Sequence, residues 1–438
     1  MVNNKHFNLI LITSLFVLLS SCNSNDVHEP ITINIENTTT ITPQITSFIT
    51  ATPISTIEPT STIEPYTTIV LGSVGDIMCH KMQLIDAQNT IEMDNNFTRN
   101  GDEQYSFNHW FEYIKPSLEY ADLMIGNLET TIAVDNSLVS GYPFFATPKE
   151  ILPDLKEAGF DMLINGNNHM LDKKQAGLIS TVSALNDANI NYTGVWTSIE
   201  SKNTPLIIDV KGIKVGIISA TCSVNDQDRL LTEEENSYMY LSTYNLDEIS
   251  MQIKNCKSAG ADIIIMCPHW GSEGAVAPNS GIIDLAEEYI KLGVDIIFAH
   301  HPHVLQPVDR LQVTLENGEV KEGIVFYSLG NFISNQMKDF EKLTGAIGYV
   351  EITKDNASGK FTFSTISYLP TLTYISYNRE TNTKSYTVLP AGHVLDNPEK
   401  FEAIDPIKLK VPLENAYYIA TSRLGNNIAI PLRCVPES

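Results

Sequence analysis

The sequence predicts an α/β fold on three observations. Short unbroken aliphatic runs recur along the chain, helix signals separate them, and each run gives way to polar residues at its carboxyl end. The first run, Thr68 to Val74, ends in Gly75-Asp76. Four more open on an aspartate. Asp122-Leu-Met-Ile125 passes into Gly126-Asn127-Leu128-Glu129, and Asp161-Met-Leu-Ile164 into Asn165 to His169. Asp262 to Cys267 passes into Pro268-His269-Trp270, and Asp295 to Phe298 into Ala299-His300-His301-Pro302-His303. Runs of this length, rich in Ile, suit strands buried on both faces.

The helix signals lie between these strands. Thr147-Pro148-Lys149-Glu150 offers an N-cap, a proline at the first helical position and a capping-box glutamate, with a stop expected at Gly159. Asn245 to Ala259 and Ser280 to Leu292 are each followed by glycine and read the same way. Past Asp355, short alternating runs at Lys360 to Ser367, Tyr374 to Tyr377, Tyr386 to Leu389 and Tyr417 to Thr421 predict further strands.

Ahead of the folded body, the chain reads as an address. Lys5 and His6 precede the apolar run Leu9 to Leu19, which matches a secretory signal and is short for a membrane span. Leu19-Ser20-Ser21-Cys22 resembles a bacterial lipobox, so Cys22 is the expected lipid anchor on the extracytoplasmic face of the membrane. A Thr/Ser/Pro-rich stretch with the near repeat Ser55 to Pro59 and Ser61 to Pro65 has too little apolar periodicity to pack. The expected organisation is a signal at 1–21, a lipidated cysteine and linker at 22–66, the main α/β domain at 67–352 and a β-rich extension at 353–438.

Composition narrows the partners. The 438 residues carry 52 acidic and 28 basic side chains, a formal net charge of −24, with no Lys/Arg-rich run. Nucleic acid is therefore not an expected partner. An anionic substrate also needs a local positive centre against this field, and bound metal ions supply one. The cysteines other than Cys22 show no CxxC spacing, which disfavours a zinc ribbon or a disulfide scaffold. No Walker loop, GxGxxG, GxSxG or HExxH motif occurs.

The polar clusters share the carboxyl ends of their strands, where sites form in α/β sheets. Asp76, Glu129, Asn168, His169, His269, His301 and His303 together offer carboxylate, amide and imidazole donors, a set suited to divalent Mn, Fe or Zn. Such a centre supports hydrolysis or group transfer on phosphoryl or acyl groups. Ser328-Leu329-Gly330-Asn331-Phe332 reads either as a tight turn at Gly330 or as a place where Asn331 contacts substrate or a ligating residue. Lys81 and Arg310, beside motif residues, are the other candidate substrate contacts.

Taken in order, Gly75-Asp76-Ile77-Met78, Gly126-Asn127-Leu128-Glu129, Asn165 to Asp172, His269-Trp270-Gly271, His300 to His303 and Tyr327 to Phe332 resemble the motifs of the CapA, or poly-γ-glutamate capsule biosynthesis, family. That family resembles the calcineurin-like metallophosphatases, which implies a β-sandwich of two sheets flanked by helices. The resemblance implies ligand positions at Asp76, Glu129, Asn168, His269, His301 and His303, and an acid/base role for His169 beside the ligating Asn168. Two positions depart from the phosphatases: Met78 stands where they carry His, and Glu129 where they carry Asp. The implied function is capsule polymer synthesis or export within a synthesis complex, on an anionic polymer or a phosphate-containing substrate. A non-catalytic polymer-binding accessory and a phosphoesterase on wall-derived phosphates are the alternatives.

Overall fold

A computed structural model describes residues 64–93 and 104–436. The expected signal, Cys22 and nearly all of the linker lie outside the described residues.

Two sheets form the body. Among the described residues the larger has nine strands, in the order Thr383–Pro390, Phe361–Asn378, Thr344–Asp355, Tyr66–Ile77, Leu123–Leu128, Met162–Ile164 and Asn191–Thr193. Asn331–Ile333 pairs beside Tyr66–Ile77, and Ile430–Pro431 beside Phe361–Asn378. The second sheet has six, in the order Leu305–Thr314, Val320–Leu329, Ile296–Phe298, Ile263–His269, Ile213–Thr221 and Leu206–Val210.

Strand alternation explains why the aliphatic runs are unbroken. Ile69, Leu71, Leu123 and Ile125 of the first sheet meet Ile263, Ile265, Ile296 and Phe298 of the second in one core between the sheets. Their neighbours point the other way. Met124 packs outward with Trp110, Ile151 and Leu155, whereas Ile264, Met266 and Ile297 pack outward with Ile249, Ile253, Ala286 and Tyr289. The helices Leu246–Ser258 and Ser280–Leu292 supply that last layer, at the expected places. A two-sheet sandwich with helices on its outer faces is the expected architecture.

The aspartates that open the four runs have a common job. Each carboxylate accepts the backbone N–H of the neighbouring strand: Asp122 from Val70 at 3.0 Å, Asp161 from Met124 at 2.7 Å, Asp262 from Lys214 at 2.9 Å and Asp295 from Ile264 at 2.9 Å. The same four residues donate their own N–H to Val70, Met124, Lys214 and Ile264 carbonyls. Each strand is thereby tied to its neighbour at its first residue. A one-residue slip would reverse every side chain, so this fixes which donors face the site.

Two local expectations are corrected. Thr147 does not cap a helix; it lies in the short strand Ala146–Thr147, its hydroxyl is 2.9 Å from that of Thr130, and the helix starts at Ile151. It does stop at Gly159, whose φ is +112°. Tyr417 to Thr421 is not a strand but part of the helix Pro406–Leu424. Its buried residues Leu409, Leu413 and Ala416 follow helical spacing and pack on Leu372 and Leu389. The other runs of the C-terminal segment are strands, and they prolong the larger sheet.

Candidate metal centre

Each donor is delivered by the end of a strand or the turn after it. Asp76 lies near the end of Tyr66–Ile77, where Gly75 lets the backbone pass against Gly330 and the Asp76 N–H donates to the Gly330 carbonyl at 2.9 Å. Any side chain at Gly75 would collide with that carbonyl. Glu129 follows Leu123–Leu128 and donates its N–H to the Ile77 carbonyl at 3.0 Å. His269 ends Ile263–His269, and the next residue, Trp270, is an anchor: it is fully buried, stacks on Tyr289 and donates its indole N–H to the Tyr327 carbonyl at 3.2 Å. The loop carrying His301 and His303 holds both in left-handed backbone, at φ +99° and +59°. Such conformations cost about 1–3 kcal/mol each, a cost borne typically at functional sites.

The side chains converge. His303 Nδ1 is 2.9 Å from Asp76 Oδ2 and 3.0 Å from Asn331 Oδ1, and its Nε2 is 3.9 Å from Glu129 Oε1. His269 Nε2 is 3.6 Å from the same glutamate oxygen, 3.0 Å from Asn168 Oδ1 and 3.1 Å from His301 Nδ1. Asp76, Glu129 and His303 alone bring one ligand atom each within 4.8 Å of one another. Glu129 stands between that group and the His269–His301–Asn168 group.

Protonation favours ligation. Burial, reinforced by the neighbouring imidazoles, pushes His269 well below its ordinary pKa, and burial with His303 pushes His301 to about 4. Both rings are therefore neutral at physiological pH, with lone pairs available. Burial would raise Asp76, but the hydrogen bond and charge of His303 outweigh it and hold this carboxyl below its usual range. Burial and the charge of Asp76 push Glu129 well above it. Both oxygens of Glu129 are buried without a hydrogen-bond partner.

Acceptor atoms thus crowd one point with too few protons to pair them. That is the signature of a cation site, because an unpaired buried carboxylate otherwise costs several kcal/mol. The donor set of carboxylate, amide and imidazole fits a divalent ion of the Mn, Fe or Zn type. Asp76, Glu129, Asn168, His269, His301 and His303 would hold it.

The remaining expected residues separate into two groups. His169 lies at the site's edge, with Nδ1 2.7 Å from Asp172 Oδ2 and its ring edge-on to Phe145 at 4.7 Å. Asn331 is fully buried against His303; its amide nitrogen donates to Ser334, Gln336 and the Lys342 carbonyl at 2.9–3.0 Å. It orients a ligand and has no free face toward a substrate. Lys81 opens the helix Lys81–Met93 with an exposed side chain. Arg310 is not brought to the cluster. It pairs with Glu322 at 2.7 Å and sits opposite Ile324, five residues back from Leu329, roughly 17 Å along the strand.

Several participants were not assigned from sequence. Asn127 donates to Asp76 Oδ1 at 2.7 Å, and Asn167 to Asn127 Oδ1 at 3.2 Å. Asn127 lies two residues before Glu129, so strand alternation alone places both on one face. Asp172 and His300, whose Nε2 is 3.0 Å from the Val74 carbonyl, were within quoted motifs without a role.

Comparisons with known proteins point one way. The chain is 29% identical over 239 residues to the capsule biosynthesis protein CapA of Bacillus anthracis, covering 53% of this chain and 55% of that protein. It is 27% identical over 262 residues to the PGA biosynthesis protein CapA of Bacillus subtilis, covering 59% and 65%. The chain thus spans between about half and two-thirds of the length of these relatives. Among solved structures, a calcineurin-like phosphoesterase, YfkN from Bacillus subtilis, aligns over 80% of this chain and 99% of its own, at 15% identity and a TM-score of 0.41. A family model described as bacterial capsule synthesis protein PGA_cap matches residues 70–336, a stretch that includes every donor of the centre, and on that match the chain belongs to this family.

Proposed function

We propose that this protein takes part in poly-γ-glutamate capsule biosynthesis at the extracytoplasmic face of the membrane, held there through Cys22, and that its metal centre performs hydrolysis or group transfer on the polymer. The observation that carries the catalytic part is Glu129: a fully buried carboxylate with two unpartnered oxygens, surrounded by His269, His303 and Asp76. The relatives' names, capsule and PGA biosynthesis proteins, support the polymer.

A divalent cation at this point supplies Lewis-acid polarisation of an acyl oxygen and lowers the pKa of water there. The chain's own residues do the rest. Asn127 and Asn331 fix Asp76 and His303 so that their free lone pairs face inward. Asp172 takes up one ring nitrogen of His169, which leaves the other to give or accept a proton at the site's edge. The same arrangement would serve a phosphoester, and the choice of a polyglutamate substrate rests on the relatives.

The test is elemental analysis of the full chain beside a His269→Ala, His301→Ala variant, followed by cleavage or transfer assays on poly-γ-glutamate and on a phosphoester. Near-stoichiometric Mn, Fe or Zn that disappears in the variant, with turnover of the polymer, is the expected result. A folded native protein that takes up none of the three metals sinks the catalytic reading. Metal-dependent turnover of the phosphoester alone sinks the substrate.

A further inference from the structure

A groove of about 500 Å³ lies between the helix Lys81–Met93 and the loop that ends at Phe145. Its walls include Tyr105, Tyr142 and Phe144, and its cations are Lys81 and Lys173. Among the described lining residues there is no aspartate or glutamate. In a chain with 52 acidic residues and a net charge of −24, this is a marked local reversal of sign. Neither lysine has an ion pair among the described residues.

Buried contacts join the groove's walls to the edge of the centre. Lys81 follows His80, whose ring meets Phe145 edge-on at 5.1 Å. Phe145 in turn meets His169 edge-on at 4.7 Å and donates its backbone N–H to Asp172 at 2.7 Å. Lys173 is the residue after Asp172. A ligand lying in the groove meets two ammonium groups, one on each wall. Tyr142 is 72% exposed and Phe144 47%, so apolar surface stands open along the path. Lysines beside aromatic rings suit a chain whose backbone is methylene-rich and whose carboxylates recur at intervals.

We propose that this groove binds successive units of an extended polycarboxylate, with Lys81 and Lys173 pairing its carboxylates and Tyr142 and Phe144 covering its methylenes. The inference rests on the polymer reading given above and specifies where the polymer lies. It accounts for polyanion binding by so acidic a protein: the attraction is local, and salt weakens it.

The experiment measures binding of a fluorescent γ-linked glutamate oligomer to the full chain in detergent, at low and high salt, with metal content measured on every sample. A Lys81→Ala, Lys173→Ala variant is compared with Lys408→Ala, Lys410→Ala, which removes the same charge from a distant helix. The expected result is a loss of about tenfold in affinity for the first pair only. Bound metal should be unchanged, and Lys81→Arg, Lys173→Arg should recover most of the affinity. Equal losses in both double variants, or none in either, overturn the groove while leaving the polymer reading in place. A wild type that binds no γ-linked oligomer overturns the polymer reading itself. Tighter binding of polyphosphate than of the oligomer, lost in the first pair, assigns the groove to a phosphate polymer and overturns the proposal.

Discussion

Replacing Glu129 with Gln separates a cation site from an ordinary buried polar cluster. The side chain is fully buried, its oxygens lack partners, and burial with the charge of Asp76 raises its pKa well above the usual range. In the metal-free protein a raised folded-state pKa means that folding favours the protonated form. Stability from this source is complete below the unfolded value, about 4.3, and is lost as pH rises through the folded value. Keeping such a carboxyl protonated while the unfolded chain ionises costs stability that grows as pH rises above that unfolded value. Gln carries no such pH-dependent cost, although its amide in the same dry place carries a pH-independent one of about 1–3 kcal/mol. The balance therefore moves toward Gln as pH rises, and the metal-free variant gains on wild type toward neutral pH.

With a divalent ion present the order reverses, because ligand binding stabilises the folded state by mass action and the variant lacks an anionic donor. The assay is thermal unfolding of chelator-treated and Mn-, Fe- or Zn-loaded protein from about pH 5 to pH 8. Wild type without metal should lose stability across that range, and the variant should be flatter. The reasoning would be refuted by a metal-free variant less stable than wild type at neutral pH, with neither protein stabilised by any of the three ions.

Two further outcomes follow from the geometry. Asp172→Asn removes the charge that orients His169 Nδ1 while preserving shape, so turnover should fall by about 10²–10⁴-fold with bound metal unchanged, read by steady-state kinetics beside elemental analysis. Gly75→Ala forces a methyl into the Gly330 carbonyl, and it should cost about 1–3 kcal/mol and displace Asp76, measured by denaturant unfolding together with metal uptake.

Much of this was legible in the sequence because it is local. An aspartate, an aliphatic run and a polar break mark four of the parallel strands, and Asp76, Glu129, Asn168, His269, His301 and His303, which the fold brings together, stand at or just beyond the ends of such runs. What was misread depends on distant contacts. Thr147 has the chemistry of a cap but is taken up by Thr130, and Tyr417 to Thr421 has strand composition yet lies in a helix fixed by packing on Leu372 and Leu389. Arg310 stands near the histidine loop in sequence, but an extended strand carries it away from the centre. For Asn331 the sequence allows both a tight turn and a contact, and the approach of its strand to Asp76 and His303 favours an orienting role.

The tethering aspartates also give the centre a common measure. Asp122, Asp161 and Asp262 stand seven residues ahead of Glu129, Asn168 and His269, and Asp295 stands six and eight ahead of His301 and His303. Each interval starts from a point pinned to the adjacent strand, so it works as a gauge: a short count of residues, extended in Leu123–Leu128 and Ile263–His269 and finishing in a turn after Met162–Ile164 and Ile296–Phe298, delivers its donor to the site. Length within a gauge is rigidly constrained, whereas the stretch from each donor to the next aspartate, with its helices and turns, is free to lengthen or shorten. The protein therefore has two kinds of sequence interleaved, one that keeps a distance and one that only has to come back.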